Sequence, residues 1–443
     1  MTISALNQRW RPPVLFAIWM SALVLLWIDI GWLHTVAAGG LGLFVLLSLL
    51  DARRETLGVF ALIAAIAGTL LWSGADPGQL LVGFDRTLIF AGLLPTLALT
   101  RAVARGLPAV RTAQHRIASL PARLSGIGLL FGAHAFGAVL NTGAFALMAS
   151  VVPDDAEAGH RKASALATLR GMNTVALYSP FFVGFAVAYT YLPDVPVWQV
   201  FTLGGTMAAC GLTISLLIFA RPLSLEAVRM GLNCLAPIAL LMAVVAGLVV
   251  LGSQVFPIST LGAVLIVMPV LCAIHLAQKP HRIAPVLKET RASMATMGDD
   301  LAIVSAALVL GTLAETAPPI LEVMAPWIAA HLPAWSVFAA VAGSMIGFAL
   351  IGVHPMITGT VMMVAVTTSD LAVADLPLMT AMMFGWGMGA MNSISSLSVV
   401  TAGRMFGVKA LTLALGPNLI YAAVFFVFTM SVLTALNAVV IGA

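Results

Sequence analysis

The chain is poor in charge. Of 443 residues only 9% are Asp, Glu, Lys or Arg, against about 25% in a soluble domain. So few charges cannot cover a water-facing surface, which excludes a soluble enzyme. Cysteine is scarce too: Cys210, Cys234 and Cys272 lie in apolar stretches without C-x-x-C spacing, which argues against a disulfide framework or a zinc site. The chain contains no G-x-x-x-x-G-K-[ST], no H-E-x-x-H and no G-x-S-x-G, so neither a P-loop ATPase nor a familiar membrane hydrolase is expected. No Asp/Glu pair falls in the middle of an apolar segment, and no Arg is read there as a carboxylate partner.

What is there is apolar. Hydrophobic residues make up 61% of the chain and mean hydropathy is +1.07. At about 20 residues per crossing this is an all-α polytopic membrane protein of roughly a dozen passes. Apolar segments fall near 13–29, 31–50, 56–73, 79–99, 124–150, 163–190, 197–220, 231–252, 257–276, 292–313, 336–367, 378–402 and 411–438. Arg9 and Arg11 precede the first, and no small-x-small cleavage site follows, so residues 1–30 read as a retained first helix. Segments 124–150 and 336–367 carry polar centres, Asn141-Thr142-Gly143 and His354-Pro355. Each reads as a re-entrant hairpin, tolerated only where protein or a wet cavity surrounds it. The expectation is eleven crossings plus two hairpins.

Charge sets the sidedness. With the N-terminus inside and the C-terminus outside, all 21 Lys and Arg except Arg86 fall on or within a turn of the cytoplasmic side, Arg221 and Arg229 included. The outer loops carry Asp76, Asp194, Asp370 and Asp375. This is the positive-inside pattern, and it fails if either hairpin is made a full crossing. The net charge of +4 is thus a topology signal, with the lipid bilayer as partner and no nucleic acid expected.

The two halves repeat. Gly83-Phe84-Asp85 recurs as Gly298-Asp299-Asp300, Thr96-Leu97-Ala98 as Thr312-Leu313-Ala314, Thr142-Gly143 as Thr358-Gly359, and Met172-Asn173-Thr174-Val175 as Met391-Asn392-Ser393-Ile394. The separations are 215, 216, 216 and 219 positions. Repeat 1 covers 31–220, with an amphipathic arm at 100–121, the hairpin 124–150 and a broken helix at 163–190. Repeat 2 covers 221–443, with an arm at 315–333, the hairpin 336–367 and a broken helix at 378–402. The topology inverts one repeat against the other, as in secondary transporters that bind at the midplane.

This pattern resembles the ion transporter superfamily, most closely its divalent anion/sodium symporter and citrate-transporter branch, over about residues 31–438. That family carries Ser-Asn-Thr at its hairpin tips. Here the first tip reads Leu140-Asn141-Thr142, and the second reads Met356-Ile357-Thr358 after His354-Pro355. The broken-helix motifs, Met172-Asn173-Thr174 and Met391-Asn392-Ser393, match better. The resemblance implies a homodimeric, elevator-type transporter of the cytoplasmic (inner) membrane. It would move a small, carboxylate-like anionic solute, coupled to Na⁺ or H⁺, with no cofactor.

The residues expected to line the site are Asn141, Thr142, Gly143, Asn173, Thr174, Asn392, Ser393 and Ser395, with His354, Pro355, Thr358 and Gly359 closing it. Asn amides offer donors and acceptors, and interrupted helices free carbonyls for a cation. Gly385, Gly387 and Gly389 suggest a break just before Asn392, since each Gly costs a helix about 1 kcal/mol. His354 could couple a proton; His134, seven residues before Asn141, is weighted lower. Asp85 with Arg86, Asp299 with Asp300, and Glu315 read as helix-end caps. An ion/proton antiporter or oxyanion exporter of the same architecture stays open, and so does a membrane-embedded enzyme, though no catalytic pair is found.

Overall fold

The computed structural model describes residues 3–153, 155–220, 223–256, 258–369 and 371–442. Arg221 and Asp370, used above for sidedness, lie outside the described residues. The chain is 82% helix, and no strand occurs among the described residues. In chain order the helices are α1 (Ile3–Leu25), α2 (Gly31–Ser48), α3 (Arg54–Trp72), α4 (Gln79–Ala104), α5 (Pro108–Ala118), α6 (Ser125–Leu140), α7 (Gly143–Ala149) and α8 (Ala158–Thr174). Then come α9 (Val183–Tyr191), α10 (Val197–Phe219), α11 (Leu225–Asn233), α12 (Ala236–Val255), α13 (Thr260–Ala277), α14 (Ile283–Met294) and α15 (Gly298–Ala314). The last are α16 (Ala325–His331), α17 (Ala334–Leu350), α18 (Pro355–Thr367), α19 (Asp375–Asn392), α20 (Leu397–Phe406), α21 (Ala410–Ala414) and α22 (Asn418–Ile441).

Seven of the described stretches are long and apolar enough to cross a membrane, or up to nine if each of two bent helix pairs counts as one span. Their outer faces are apolar: Leu240, Leu251 and Val427 are exposed. Side chains of that kind on the surface mark a protein embedded in a membrane.

The chain forms two compact units, and the division cuts across the repeats. The first holds residues 1–103, 248–333 and 360–371; the second holds 104–247, 334–359 and 372–443. Two of the boundaries fall inside α12 and α18.

Ion pairs tie the first unit together. Arg11 reaches Asp51 and the Ser48 carbonyl, and Arg53 pairs with Asp299 at 2.6 Å. Arg86 is held by both oxygens of Glu315, at 2.6 and 3.0 Å, and Asp85 meets His34 Nδ1 at 2.6 Å. These acids therefore do not serve as caps. Asp85 lies well inside α4, and Glu315 neutralises the one basic residue that the charge count leaves on the outer side. Helices α4 and α15, the pair matched across the repeats, meet where Gly83 lacks a side chain: a Cβ there would lie 2.5 Å from Val309 Cα.

In the second unit α6 packs on α8 and α17 on α19. Both pairings depend on backbones coming closer than side chains allow. A Cβ on Gly171 would lie 2.0 Å from the Leu130 carbonyl oxygen. One on Gly385 would lie 3.0 Å from Ala342 Cα, and one on Gly387 2.5 Å from the Asn173 carbonyl oxygen.

The break expected before Asn392 is therefore not there. Helix α19 runs unbroken through its three glycines to Asn392, and the interruption comes after it, at Ser393–Ser396. The glycines are spent on packing, the common use of small residues between membrane helices. Gly171→Ala should cost about 1–3 kcal/mol, read as a lower unfolding temperature in detergent. Gly205→Ala, with nothing within 4 Å of the added carbon, should leave it unchanged or raise it.

Candidate functional site

Two helix interruptions face each other inside the second unit. In the first, α8 ends at Thr174, one turn of 3₁₀ helix follows, and the chain is irregular until α9 begins at Val183. In the second, α19 ends at Asn392 and α20 begins at Leu397, its N-terminus capped by Ser396 Oγ accepting from Val399 N at 3.1 Å. The two are in contact. Ser398 Oγ donates to Asn173 Oδ1 at 3.3 Å, and Gly387 lies against the Asn173 carbonyl. The second broken helix thus crosses the first at Asn173.

Asn173 and Asn392 are both fully buried and hold the same pose. Each Nδ2 donates at 2.8 Å to the carbonyl four residues back, Leu169 and Met388 respectively. Each Oδ1 is then turned away from its own helix ladder, and here the two differ. Asn173 Oδ1 accepts from Ser398, whereas no described donor reaches Asn392 Oδ1. The residue that would mirror Ser398, 219 positions earlier, is Ser179. Its hydroxyl instead donates to the Ala138 carbonyl of the first hairpin at 2.7 Å. Buried acceptors are almost always satisfied; Asn392 Oδ1 is one of several buried side-chain polar atoms without a described partner, and the one that belongs to the matched asparagine pair.

The turn between α6 and α7 is fastened to the first interruption. Asn141 has φ 51° and ψ −134°, the shape of the first central position of a type II′ turn. It is the one non-glycine at positive φ among the described residues, and such strain costs about 1–3 kcal/mol. Its amide offsets that cost: Nδ2 donates to Phe181 O at 3.4 Å, and Oδ1 accepts from Thr142 N at 2.7 Å. Thr142 is half-buried, and Gly143 starts α7. Thr174 Oγ1 donates to Gly171 O at 2.8 Å and lies 3.0 Å from His134 Nδ1. His134, given little weight from sequence, also meets Tyr178 Oη through Nε2 at 3.0 Å. Through these two contacts the imidazole bridges α6 to the first break.

The connection between α17 and α18 is fastened to the second interruption. Ser393 and Ser395 hydroxyls lie 3.2 Å apart, and Ser395 Oγ donates to Gly352 O at 3.3 Å. His354 Nδ1 accepts from Met356 N at 3.2 Å. It thus caps α18, with Pro355 at the first helical position, where its missing N–H costs nothing. The imidazole also meets Trp386 edge-on, with ring centroids 5.7 Å apart. Gly359 gives room to Met345 and Met382, and Thr358 is half-buried. No hydrogen bond among the described residues joins the two hairpin tips. The expected residues therefore form two clusters, one per break, linked through Asn173 and Ser398.

Sequence reading missed Arg170. It stands one turn before Asn173, 6% exposed, so not every basic residue but Arg86 lies near a surface. Ser179 was also missed, although carrying the 219-residue offset past the motif would have found it. The chain matches no protein-family model and no curated protein.

The tip geometry predicts that Asn141→Gly keeps the unfolding temperature within a few degrees. Asn141→Ala, which keeps the strain and loses both bonds, should be less stable by about 1–3 kcal/mol.

Proposed function

We propose that this protein is a sodium-coupled secondary transporter of a small anionic, carboxylate-like solute, working by elevator-type alternating access. The second unit would be the moving part and the first the scaffold, each copy in a homodimer. The observation that carries the reading is the crossing of two interrupted helices at a pair of identically posed asparagines, one with a free acceptor oxygen. Interrupted helices crossing inside a membrane supply carbonyls and an amide oxygen to a cation and helix N-termini to an anion.

Sodium is favoured over the proton by what surrounds the crossing. In the second unit the described carboxylates are Asp155, Glu157, Asp194, Glu226 and Asp375, all in loops or at helix starts. His354 spends Nδ1 on a cap at a helix N-terminus, where a positive charge is disfavoured. His134 has both ring nitrogens engaged.

In this reading α6–α7 and α17–α18 are re-entrant hairpins, eleven other passes cross the inner membrane, the N-terminus is inside and the C-terminus outside. Tryptophan supports that sidedness. Trp27, Trp32, Trp72, Trp198, Trp327 and Trp335 are exposed, and each falls at the outer end of its segment in this topology. Basic residues inside and aromatic anchors at the interface are the expected arrangement.

Purified protein in proteoliposomes, given an inward Na⁺ gradient, should take up at least one member of a panel of mono-, di- and tricarboxylates, sulfonates and inorganic oxyanions. Asn392→Ala should raise the half-saturating Na⁺ concentration at least tenfold while the protein still inserts. Uptake driven equally by an inward proton gradient alone would make the proton the symported ion, uptake driven only by an outward proton gradient would favour the antiporter reading, and uptake of nothing under any of these gradients would remove the transporter.

A further inference from the structure

A second polar feature of the same unit begins one turn before Asn173 and shares no lining residue with the asparagine pair. A cavity of about 300 Å³ runs between α6, α8, α10 and the start of α22. Its floor is Arg170. The guanidinium donates through Nε to Ser215 Oγ at 2.8 Å and through one terminal nitrogen to Asn418 Oδ1 at 2.7 Å, and lies 4.1 Å over the Phe219 ring. All three partners are neutral. No described acid forms an ion pair with Arg170, and the Ser215 hydroxyl proton is donated to no described residue. The walls are apolar, with Leu130, Leu166 and Leu216 among them, and exposed Arg123 stands at the mouth.

A buried cation without a counter-charge is costly. Ion-dipole bonds and a ring face offset part of that cost. If knitting α8, α10 and α22 together were its only task, a neutral amide would serve, and the space beside it would be filled. Instead the guanidinium keeps unused donors beside an open cavity at the small end of the ligand-pocket range. The charge is at the bottom and the apolar walls lie above it, so an occupant enters charged end first.

We propose that this cavity binds a small organic carboxylate with an apolar body. The carboxylate takes the remaining Arg170 donors and the Ser215 hydroxyl, the hydrocarbon part lies against Leu166, Leu216 and Phe219, and Arg123 draws the anion to the mouth. The site is separate from the asparagine crossing and does not depend on the transport reading.

Calorimetric titration of the purified protein with sodium benzoate and sodium hexanoate tests this, with benzamide, sulfate and inorganic phosphate as controls at matched ionic strength. Both carboxylates should bind saturably, and the controls should not. Arg170→Lys, which keeps the charge but not the forked geometry, should raise Kd at least tenfold. Ala163→Trp, placed at the exposed rim, should block binding with the unfolding temperature unchanged, which keeps the test open if Arg170→Lys does not fold. Kd should be the same in phosphatidylcholine and phosphatidylglycerol nanodiscs. Absence of saturable binding, or equal binding by Ala163→Trp, overturns the proposal. So does competition by phosphatidylglycerol that Arg170→Lys relieves, because the occupant would then be a lipid headgroup.

Discussion

A helix interrupted in apolar surroundings exposes amide and carbonyl groups that no water can reach, and each must find a partner in the protein. That constraint shapes the second unit. Its two broken helices are surrounded at their breaks by groups placed to meet them. Ser179 and Asn141 join α6 and its end to the first break, Ser395 joins the second break to the α17–α18 connection, and Ser398 bonds across from one broken helix to the other. Polar side chains can do this only if backbones come close. The glycines at 171, 204 and 387 stand where a Cβ would lie within 2.5 Å of a carbonyl oxygen. Small residues and interrupted helices are thus two halves of one solution.

The near-symmetry of that solution carries the functional reading. Two asparagines, 219 positions apart, hold the same pose against their own helices, yet only one finds a donor for its oxygen. A purely structural crossing would satisfy both. Ser179 bonds to the Ala138 carbonyl of α6, and Asn392 Oδ1 is left buried without a described donor; in the proposed function that oxygen would serve a sodium ion. The strained turn at Asn141 is held to the first break by its amide bond to the Phe181 carbonyl.

Much of this was legible in the sequence. Low charge and long apolar runs gave the membrane class, and polar centres in segments 124–150 and 336–367 marked the interruptions now seen at Asn141 and at residues 351–354. The Asn-Thr and Asn-Ser motifs sit at the ends of α8 and α19. What could not be read was which partner each polar group takes. Three alternate glycines look like a break when only helix propensity is counted; they are a packing face because α17 and α8 lie against them. Acids at helix starts look like caps until a distant Arg53 or Arg86 is seen to claim them. Arg170 was hidden because burial depends on the neighbours from α10 and α22, which are remote in sequence.

The central claim is that the two interrupted helices form one site for a cation and an anion, with Asn392 Oδ1 as a cation ligand. The most direct measurement is a pair of electron cryomicroscopy maps, one in sodium and one in choline, each with a solute that passes the uptake screen. The account predicts density beside Asn392 Oδ1 in sodium that is absent in choline, with solute density between the Asn173 and Asn392 breaks. Solute bound elsewhere, with identical density at Asn392 in both salts, would contradict it.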